Sequence, residues 1–157
     1  MDSKSDKKEM LESFYLRSKE HGIKITPQRT AIYQELLNAK DHPSADSIYK
    51  RLIKKIPNIS FDTVNRTLLT FSKMGIVNIV EGYGQPKRYD PALDTHHHFR
   101  CTQCNRIIDF HNKAYDKISV PEEIQKRFSV FNKKVVLEGL CDRCNKNTLR
   151  RRYYHEK

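Results

Sequence analysis

The sequence predicts an α+β protein in two parts, and three observations support this prediction. Four helical patterns, three of them preceded by a capping side chain, occupy the first 75 residues. A β-branched run and a glycine-containing turn follow them, as in a β-hairpin. The rest of the chain is rich in strand patterns and contains two Cys-x-x-Cys pairs. We therefore expect an N-terminal winged helix-turn-helix and a C-terminal α/β part that a four-cysteine zinc site staples together.

Each predicted helix has a recognisable start or end. Side chains that can cap a helix N-terminus precede three of the helices: Thr26, Ser44 and Ser60. Gly22 and Gly75 follow the first and fourth helices, where a left-handed residue commonly ends a helix. The inward-facing residues of the four helices are predicted to be Met10, Leu11, Phe14, Ser18, Ile32, Leu36, Leu37, Ile48, Leu52, Ile53, Val64, Leu68 and Phe71.

A β-hairpin is predicted after the fourth helix. Residues 76–80 form a β-branched strand pattern, residues 82–86 a turn, and residues 87–89 a short return strand. A helix-turn-helix followed by a hairpin is a winged helix. In such a unit the segment 60–73 is the recognition helix, because the second helix of the pair enters the major groove of DNA.

The second part of the chain begins after a polar, proline-interrupted segment. Strands are predicted at residues 99–101, 107–110 and 135–140, with a helix that begins at Pro121 between the last two. These patterns give three predicted regions: a DNA-binding domain at 1–89, a hinge at 90–95 and a second domain at 96–157.

The four cysteines of the chain form two matched pairs, Cys101 with Cys104 and Cys141 with Cys144. A gap of two residues lets both thiolates of a pair face one ion, so two pairs can close a tetrahedral Zn²⁺ site with no open position. Redox dithiols are the weaker alternative, because a redox Cys-x-x-Cys usually occurs singly at a helix N-terminus.

Composition favours a polyanionic partner. The net charge is +11, from 30 Lys and Arg against 19 Asp and Glu, which suits nucleic acid, although a basic protein without such a partner has the same charge. No apolar stretch reaches membrane-spanning length, and the N-terminal MDSKSDKKEM lacks the core of a signal peptide. We therefore expect a cytoplasmic protein with no membrane partner. The Arg150–Arg152 run is either a phosphate-binding tail or a solvated end.

Several motifs occur together in a fixed order. They are Ile25–Arg29, His42–Tyr49, Arg88–Asp90, His96–His98 leading into Cys101–Cys104, Ile107–His111, and Cys141–Cys144. In this order and spacing they resemble the ferric uptake regulator family of metal-dependent bacterial repressors. The resemblance implies an N-terminal winged helix, a C-terminal dimerisation and metal-sensing domain, and a homodimer that binds double-stranded operator DNA.

The resemblance also implies a regulatory metal site with five ligands: His42, Asp90, His96, His98 and Asp109. Three imidazoles and two carboxylates suit Fe²⁺ or Mn²⁺, with Zn²⁺ as a third candidate, and five ligands leave a position open. His96 and His98 alternate along an extended segment, so both side chains face one way. Taken singly, each residue favours a structural role: His42 in a turn before a helix, and Asp109 as a solvated strand residue.

Asp109 distinguishes two branches of the family. Iron-sensing members tend to have glutamate at this position and peroxide-sensing members (the PerR branch) aspartate, so the resemblance implies peroxide sensing. Ferrous iron with an open position reduces peroxide, and the expected oxidation targets are His42 and His96. Manganese would support repression yet resist peroxide. The alternatives within the family are a regulator that senses ferrous iron occupancy and a zinc or manganese sensor.

Four residues match DNA-contact positions of the family: Lys24, Thr63, Asn65 and Arg66. Lys24 matches a lysine that enters the minor groove. The family usually has tyrosine where this chain has Asn65. Asparagine pairs bidentately with adenine, so the preferred operator is expected to differ, unless Asn65 contacts only a phosphate.

The remaining histidines and other possible functions have less support in the sequence. Many family members have a second metal site, but Lys133 and Thr95 replace histidines there, so no second site of that kind is expected. His21, His97, His111 and His155 are expected to be surface or packing residues, with His97 able to tune the first site. A zinc hydrolase lacks support, because HExxH spacing is absent, and we expect no enzyme. A DNA-binding protein that needs no metal is the remaining alternative.

Overall fold

The computed structural model describes residues 4–80, 86–131 and 133–146. Residues 82–85 of the predicted turn, the Arg150–Arg152 run and His155 lie outside these ranges. The chain forms two compact units, Met1–Leu93 and Asp94–Lys157, and the division falls within the segment predicted as a hinge. Within the described ranges, no helix combines the length and the apolar character that crossing a membrane requires.

Four helices build most of the N-terminal unit: α1 (Lys4–Glu20), α2 (Pro27–Asn38), α3 (Ala45–Leu52) and α4 (Phe61–Lys73). The hydroxyls of Thr26, Ser44 and Ser60 accept hydrogen bonds from backbone N–H groups three residues later, so the three predicted caps are confirmed. Gly22 and Gly75 have φ angles of +65° and +64°, which confirms the left-handed residues predicted after α1 and α4.

The core of the N-terminal unit is aromatic at its centre. Phe14 stacks on Tyr33 with ring centroids 4.3 Å apart, and Phe71 meets Phe14 edge-on at 5.3 Å. Tyr33 was not among the predicted inward residues. Its hydroxyl donates a hydrogen bond to the carbonyl oxygen of Met10, and burial raises its pKa to about 12. A buried tyrosine with a satisfied hydroxyl packs α1 against α2.

The wing is a pair of antiparallel strands, β1 (Asn78–Val80) and β2 (Arg88–Asp90). The predicted first strand began two residues earlier. Ile76 and Val77 are buried in the core, and their N–H groups donate to the carbonyl of Phe71 at the end of α4. These two residues therefore complete the helix end instead of joining the strand ladder.

The C-terminal unit contains a three-stranded sheet and two short helices. Its strands are β3 (His97–Cys101), β4 (Ile107–Phe110) and β5 (Val136–Gly139), in the order β4-β3-β5. β3 pairs antiparallel with β4 and parallel with β5. Helices α5 (Lys113–Asp116) and α6 (Glu122–Arg127) lie between β4 and β5 in sequence. The three predicted strands and α6 are confirmed, whereas α5, a single turn capped by Asn112, was not predicted.

Ser18 gives a first testable prediction, because its side chain is fully buried and its Oγ has no hydrogen-bond partner within the described residues. An unsatisfied buried hydroxyl costs about 1–3 kcal/mol. We expect Ser18→Ala to raise the free energy of unfolding by ~1–2 kcal/mol, measured by urea denaturation of the zinc-loaded protein. Ser13→Ala, at an exposed position of the same helix, is the control and should gain only ~0.5 kcal/mol from helix propensity. Equal gains in the two variants would show that desolvation of Ser18 has no effect.

Candidate metal centres and nucleic-acid interface

The four cysteine side chains meet in one cluster of the C-terminal unit. Cys101 ends β3, Cys104 lies in the turn that follows, and Cys141 and Cys144 come just after β5. Their sulfur atoms lie within 4.8 Å of one another, and Sγ of Cys104 is 3.7 Å from Sγ of Cys141. A tetrahedron with Zn–S bonds of about 2.3 Å has edges of roughly 3.8 Å, so this donor set fits a structural zinc ion.

Two thiols of this cluster, Cys101 and Cys144, have pKa values that are shifted in opposite directions. The backbone N–H of Cys141 donates to Sγ of Cys101 at 3.3 Å and, with further backbone donors, lowers the pKa of Cys101 to about 6. Burial and the three neighbouring sulfurs raise the pKa of Cys144 to about 12. The Cys101 thiolate therefore forms readily, whereas ionisation of Cys144 is favoured only when a cation lies beside it. Zn²⁺ supplies that charge when bound.

A second donor cluster lies on the same sheet, near the start of β3. Nε2 of His98 is 3.1 Å from Nε2 of His96 and 3.4 Å from Oδ1 of Asp109. Asp109 stands directly opposite His98 in the β3–β4 ladder, so both side chains leave the same face of the sheet. These separations match neighbouring ligand atoms around one divalent ion with bonds of about 2.0–2.2 Å.

The tautomer of His96 is fixed by its surroundings. Nδ1 of His96 is 2.8 Å from the backbone carbonyl oxygen of Asp94, and a carbonyl can only accept, so Nδ1 is the donor. The lone pair of His96 is therefore on Nε2, the atom that faces His98. Histidine ligands of metals usually donate their other ring N–H to a carbonyl or carboxylate in this way.

The two remaining predicted ligands lie together in the N-terminal unit. Nε2 of His42 is 3.7 Å from Oδ2 of Asp90, and both side chains are buried. His42 has a φ of +45°, a left-handed conformation that costs a residue other than glycine roughly 1–3 kcal/mol. Of the five predicted ligands, His42 and Asp90 thus belong to the N-terminal unit, and His96, His98 and Asp109 belong to the C-terminal unit. Arg88, to which the sequence assigned no role, holds the backbone at His42.

His97 faces away from the trio, as alternation along β3 requires. It is buried, and its Nε2 donates a hydrogen bond to Oδ1 of Asp116 at 3.1 Å. Lys133 donates from Nζ to the backbone carbonyls of Asp116 and Ile118. This face of the sheet therefore contains the His97–Asp116 pair, and the ammonium group of Lys133 lies beside it. His111 is exposed, and its ring centroid is 6.1 Å from that of His96.

The predicted DNA-contact residues surround the start of α4. Lys24, Thr63 and Arg66 line a cavity of about 390 Å³ between α4 and the start of α2. Oγ1 of Thr63 is 2.9 Å from the capping Oγ of Ser60, and Asn65 is half-buried on the next turn. Arg66 is exposed, 3.7 Å from Asp62. This cavity presents basic side chains and hydroxyls beside α4, and the corresponding helix of winged-helix proteins enters DNA.

The fold and the donor clusters define a class of protein. A helix-turn-helix with a wing supplies a DNA-binding element, and the cysteine and histidine clusters supply ligands for zinc and for a second metal. Together they define a metal-responsive transcription regulator.

The chain belongs to the ferric uptake regulator family, whose model matches residues 20–138. It is 37% identical over 139 residues to the peroxide operon regulator of Bacillus subtilis, covering 88% of this chain and 93% of that protein. It is 35% identical over 123 residues to the peroxide-responsive repressor PerR of Staphylococcus epidermidis, covering 78% and 82%. The solved structure of the Helicobacter pylori ferric uptake regulator Fur matches with a TM-score of 0.71 at 23% identity, covering 88% of this chain and 93% of that chain. The predicted family and fold class are confirmed.

Proposed function

We propose that this protein is a cytoplasmic, peroxide-responsive repressor. It binds operator DNA as a homodimer when Fe²⁺ or Mn²⁺ fills its regulatory site, and it releases the DNA when peroxide oxidises a histidine ligand. The observation that carries the proposal is the trio of His96, His98 and Asp109, whose donor atoms lie 3.1 and 3.4 Å apart. Relatives that are 33–37% identical to this chain and are named for peroxide response support it.

The regulatory ion is proposed to have five ligands, the trio together with His42 and Asp90. Three imidazole nitrogens and two carboxylates suit Fe²⁺ and Mn²⁺ and leave a coordination position open. Because the ligands come from both units, the bound ion favours one arrangement of the DNA-binding unit over others. In a homodimer this sets the spacing of two α4 helices on a two-fold operator, where Lys24, Thr63, Asn65 and Arg66 are the proposed contacts.

An exposed apolar surface of the C-terminal unit supports the proposed homodimer. Phe131 is 96% exposed, Phe128 56%, and Leu137 on β5 40%. β5 is one of the two edge strands of the described sheet, and none of its residues is buried. Exposed apolar side chains beside an unpaired strand edge are typical of a subunit interface.

Histidine is the proposed target of peroxide. Ferrous iron, when held by these ligands, would supply electrons for cleavage of the O–O bond of peroxide and would regain them from the histidine ring. In the net reaction, a ring C–H of histidine becomes C–OH while H₂O₂ is reduced to water, so the side chain gains one oxygen atom. The oxidised ring is a poorer ligand, and the metal-bound arrangement loses stability. His42 and His96 are the proposed sites.

Peptide mass mapping after peroxide treatment tests this proposal. The iron-loaded, zinc-containing protein should gain one oxygen on a peptide that contains His42 or His96 and should lose operator affinity. The manganese-loaded protein is the matched control, and it should keep its mass and its DNA binding. An unmodified iron-loaded protein that still releases DNA on chelation would instead identify a sensor of iron occupancy.

A further inference from the structure

The backbone at His42 is held in a conformation that its sequence disfavours. A φ of +45° is uncommon for any residue with a Cβ, and the following residue, Pro43, further restricts the conformations open to His42. Such a conformation persists only where neighbouring groups over-determine it. The groups that hold the backbone of His42 in this conformation therefore help to orient its side chain.

Arg88 is the side chain that supplies this support. Its Nε donates to the carbonyl oxygen of His42, and its Nη2 donates to the carbonyl oxygen of Asp41 at 2.5 Å. A planar guanidinium can donate to two neighbouring acceptors at once in a fixed geometry, which an ammonium group cannot. One side chain thus fixes the carbonyls of two consecutive residues and with them the peptide between Asp41 and His42.

The strand that carries Arg88 also binds the other side of the loop. The N–H of Tyr89 donates to the carbonyl oxygen of Pro43 at 3.1 Å, and Ser44 forms an isolated β-bridge with Arg88. Asp90, two residues beyond Arg88, leaves the same face of β2 and lies 3.7 Å from His42. β2 therefore provides one proposed ligand and holds the backbone of another.

We propose that Arg88 is the positioning residue of the regulatory metal site. The two hydrogen bonds from its guanidinium keep His42 in the left-handed conformation beside Asp90, so that the pair is preorganised before the metal binds. This inference rests on the proposed function, since it takes His42 and Asp90 as ligands. A phosphate-binding role for Arg88 is the competing explanation. It is disfavoured because the guanidinium already donates to two carbonyls, whereas the adjacent Lys87 is exposed.

Arg88→Lys tests the inference, because it retains the positive charge and removes the planar guanidinium that donates to both carbonyls. In the zinc-loaded, full-length protein, Mn²⁺ affinity measured by competition with a fluorescent chelator should fall about 10- to 100-fold, the range for residues that orient metal ligands. In the metal-free protein, the Tyr89 amide should exchange with solvent faster. Zinc content should stay unchanged, and operator affinity should recover at saturating Mn²⁺. Arg88→Gln is the second variant if the lysine variant does not fold.

Matched controls separate this inference from its alternatives. Lys87→Gln removes a neighbouring charge, and Arg51→Lys alters a contact to the Asp41 side chain, which Nη2 of Arg51 reaches at 2.8 Å. Both should keep the wild-type Mn²⁺ affinity. His42→Ala should abolish high-affinity Mn²⁺ binding, and if it does not, the proposed ligand set is wrong. Unchanged Mn²⁺ affinity in Arg88→Lys, with His42→Ala defective, overturns the role of Arg88 alone. Weaker operator binding by Arg88→Lys that persists at saturating Mn²⁺ would assign Arg88 to DNA.

Discussion

Cys101→Ser is expected to release zinc and unfold the C-terminal unit, the largest effect predicted for any single substitution. Within the described residues, the buried cluster of this unit consists of Cys101, Cys141 and Cys144, with Phe99 packed against it. Three of the four proposed zinc ligands are thus also its core. Structural zinc contributes about 10–16 kcal/mol in small domains, as much as the roughly 5–15 kcal/mol that stabilises a typical domain. We therefore expect a unit with so small an apolar core to unfold without the ion.

Zinc content and amide hydrogen exchange measure this effect. We expect less than one zinc per chain in Cys101→Ser and rapid exchange along β3, while α2 and α4 stay protected, because the N-terminal unit has its own core. Ile107→Val is the control, since Ile107 is buried in the same unit. It should keep its zinc and lose only about 0.5–1.5 kcal/mol. Full zinc occupancy with a protected β3 in the serine variant would contradict the proposed role of the cluster.

His98→Ala is expected to abolish metal-dependent operator binding. Nε2 of His98 is close to both other donors of the trio, 3.1 Å from His96 and 3.4 Å from Asp109, so its loss leaves the trio without its central ligand. We expect Mn²⁺ affinity to fall more than ~100-fold, because substitutions that merely disturb ligand orientation cost about 10- to 100-fold. Operator affinity should drop to the non-specific level, ~10³-fold or more below that of the metal-loaded protein.

Gel-shift titrations with and without Mn²⁺ check this prediction. His111→Ala is the matched control, because it removes an exposed imidazole beside His96 that is not a proposed ligand. It should retain wild-type affinity for Mn²⁺ and for DNA. If His98→Ala bound the operator in a metal-dependent way, the trio would not be the regulatory site.

Local signals in the sequence predicted most of the fold. A capping hydroxyl before an amphipathic run and a glycine after one act within a few residues, so Thr26, Ser60 and Gly75 were sufficient to place helix ends. The incorrect predictions lie where tertiary packing, and not the local sequence, determined the secondary structure. Ile76 has the β-branched character of a strand residue, but it is buried against α4 and completes the end of that helix. The single turn of α5 is too short to show a hydrophobic period.

The site divides in the same way. The spacing of the matched cysteine pairs predicted the first cluster of donors, because that spacing is a local property, whereas the resemblance to the family implied the five ligands of the second site. The left-handed backbone of His42 and its attachment to Arg88 had no such signal, since 45 residues separate the two in sequence. Such contacts depend on the register of β2 against the loop before α3, and only the folded chain defines that register.

β3 carries proposed ligands of both kinds, His98 near its start and Cys101 at its end. Zinc would therefore hold one end of the strand in place, and a proposed regulatory ligand lies near the other end. An agent that ejects zinc, such as a thiol alkylator, would therefore silence the regulator without touching any imidazole or carboxylate. Alkylation of the cysteines and oxidation of a histidine would then have the same transcriptional outcome. Only the masses of the recovered peptides would distinguish the two modifications.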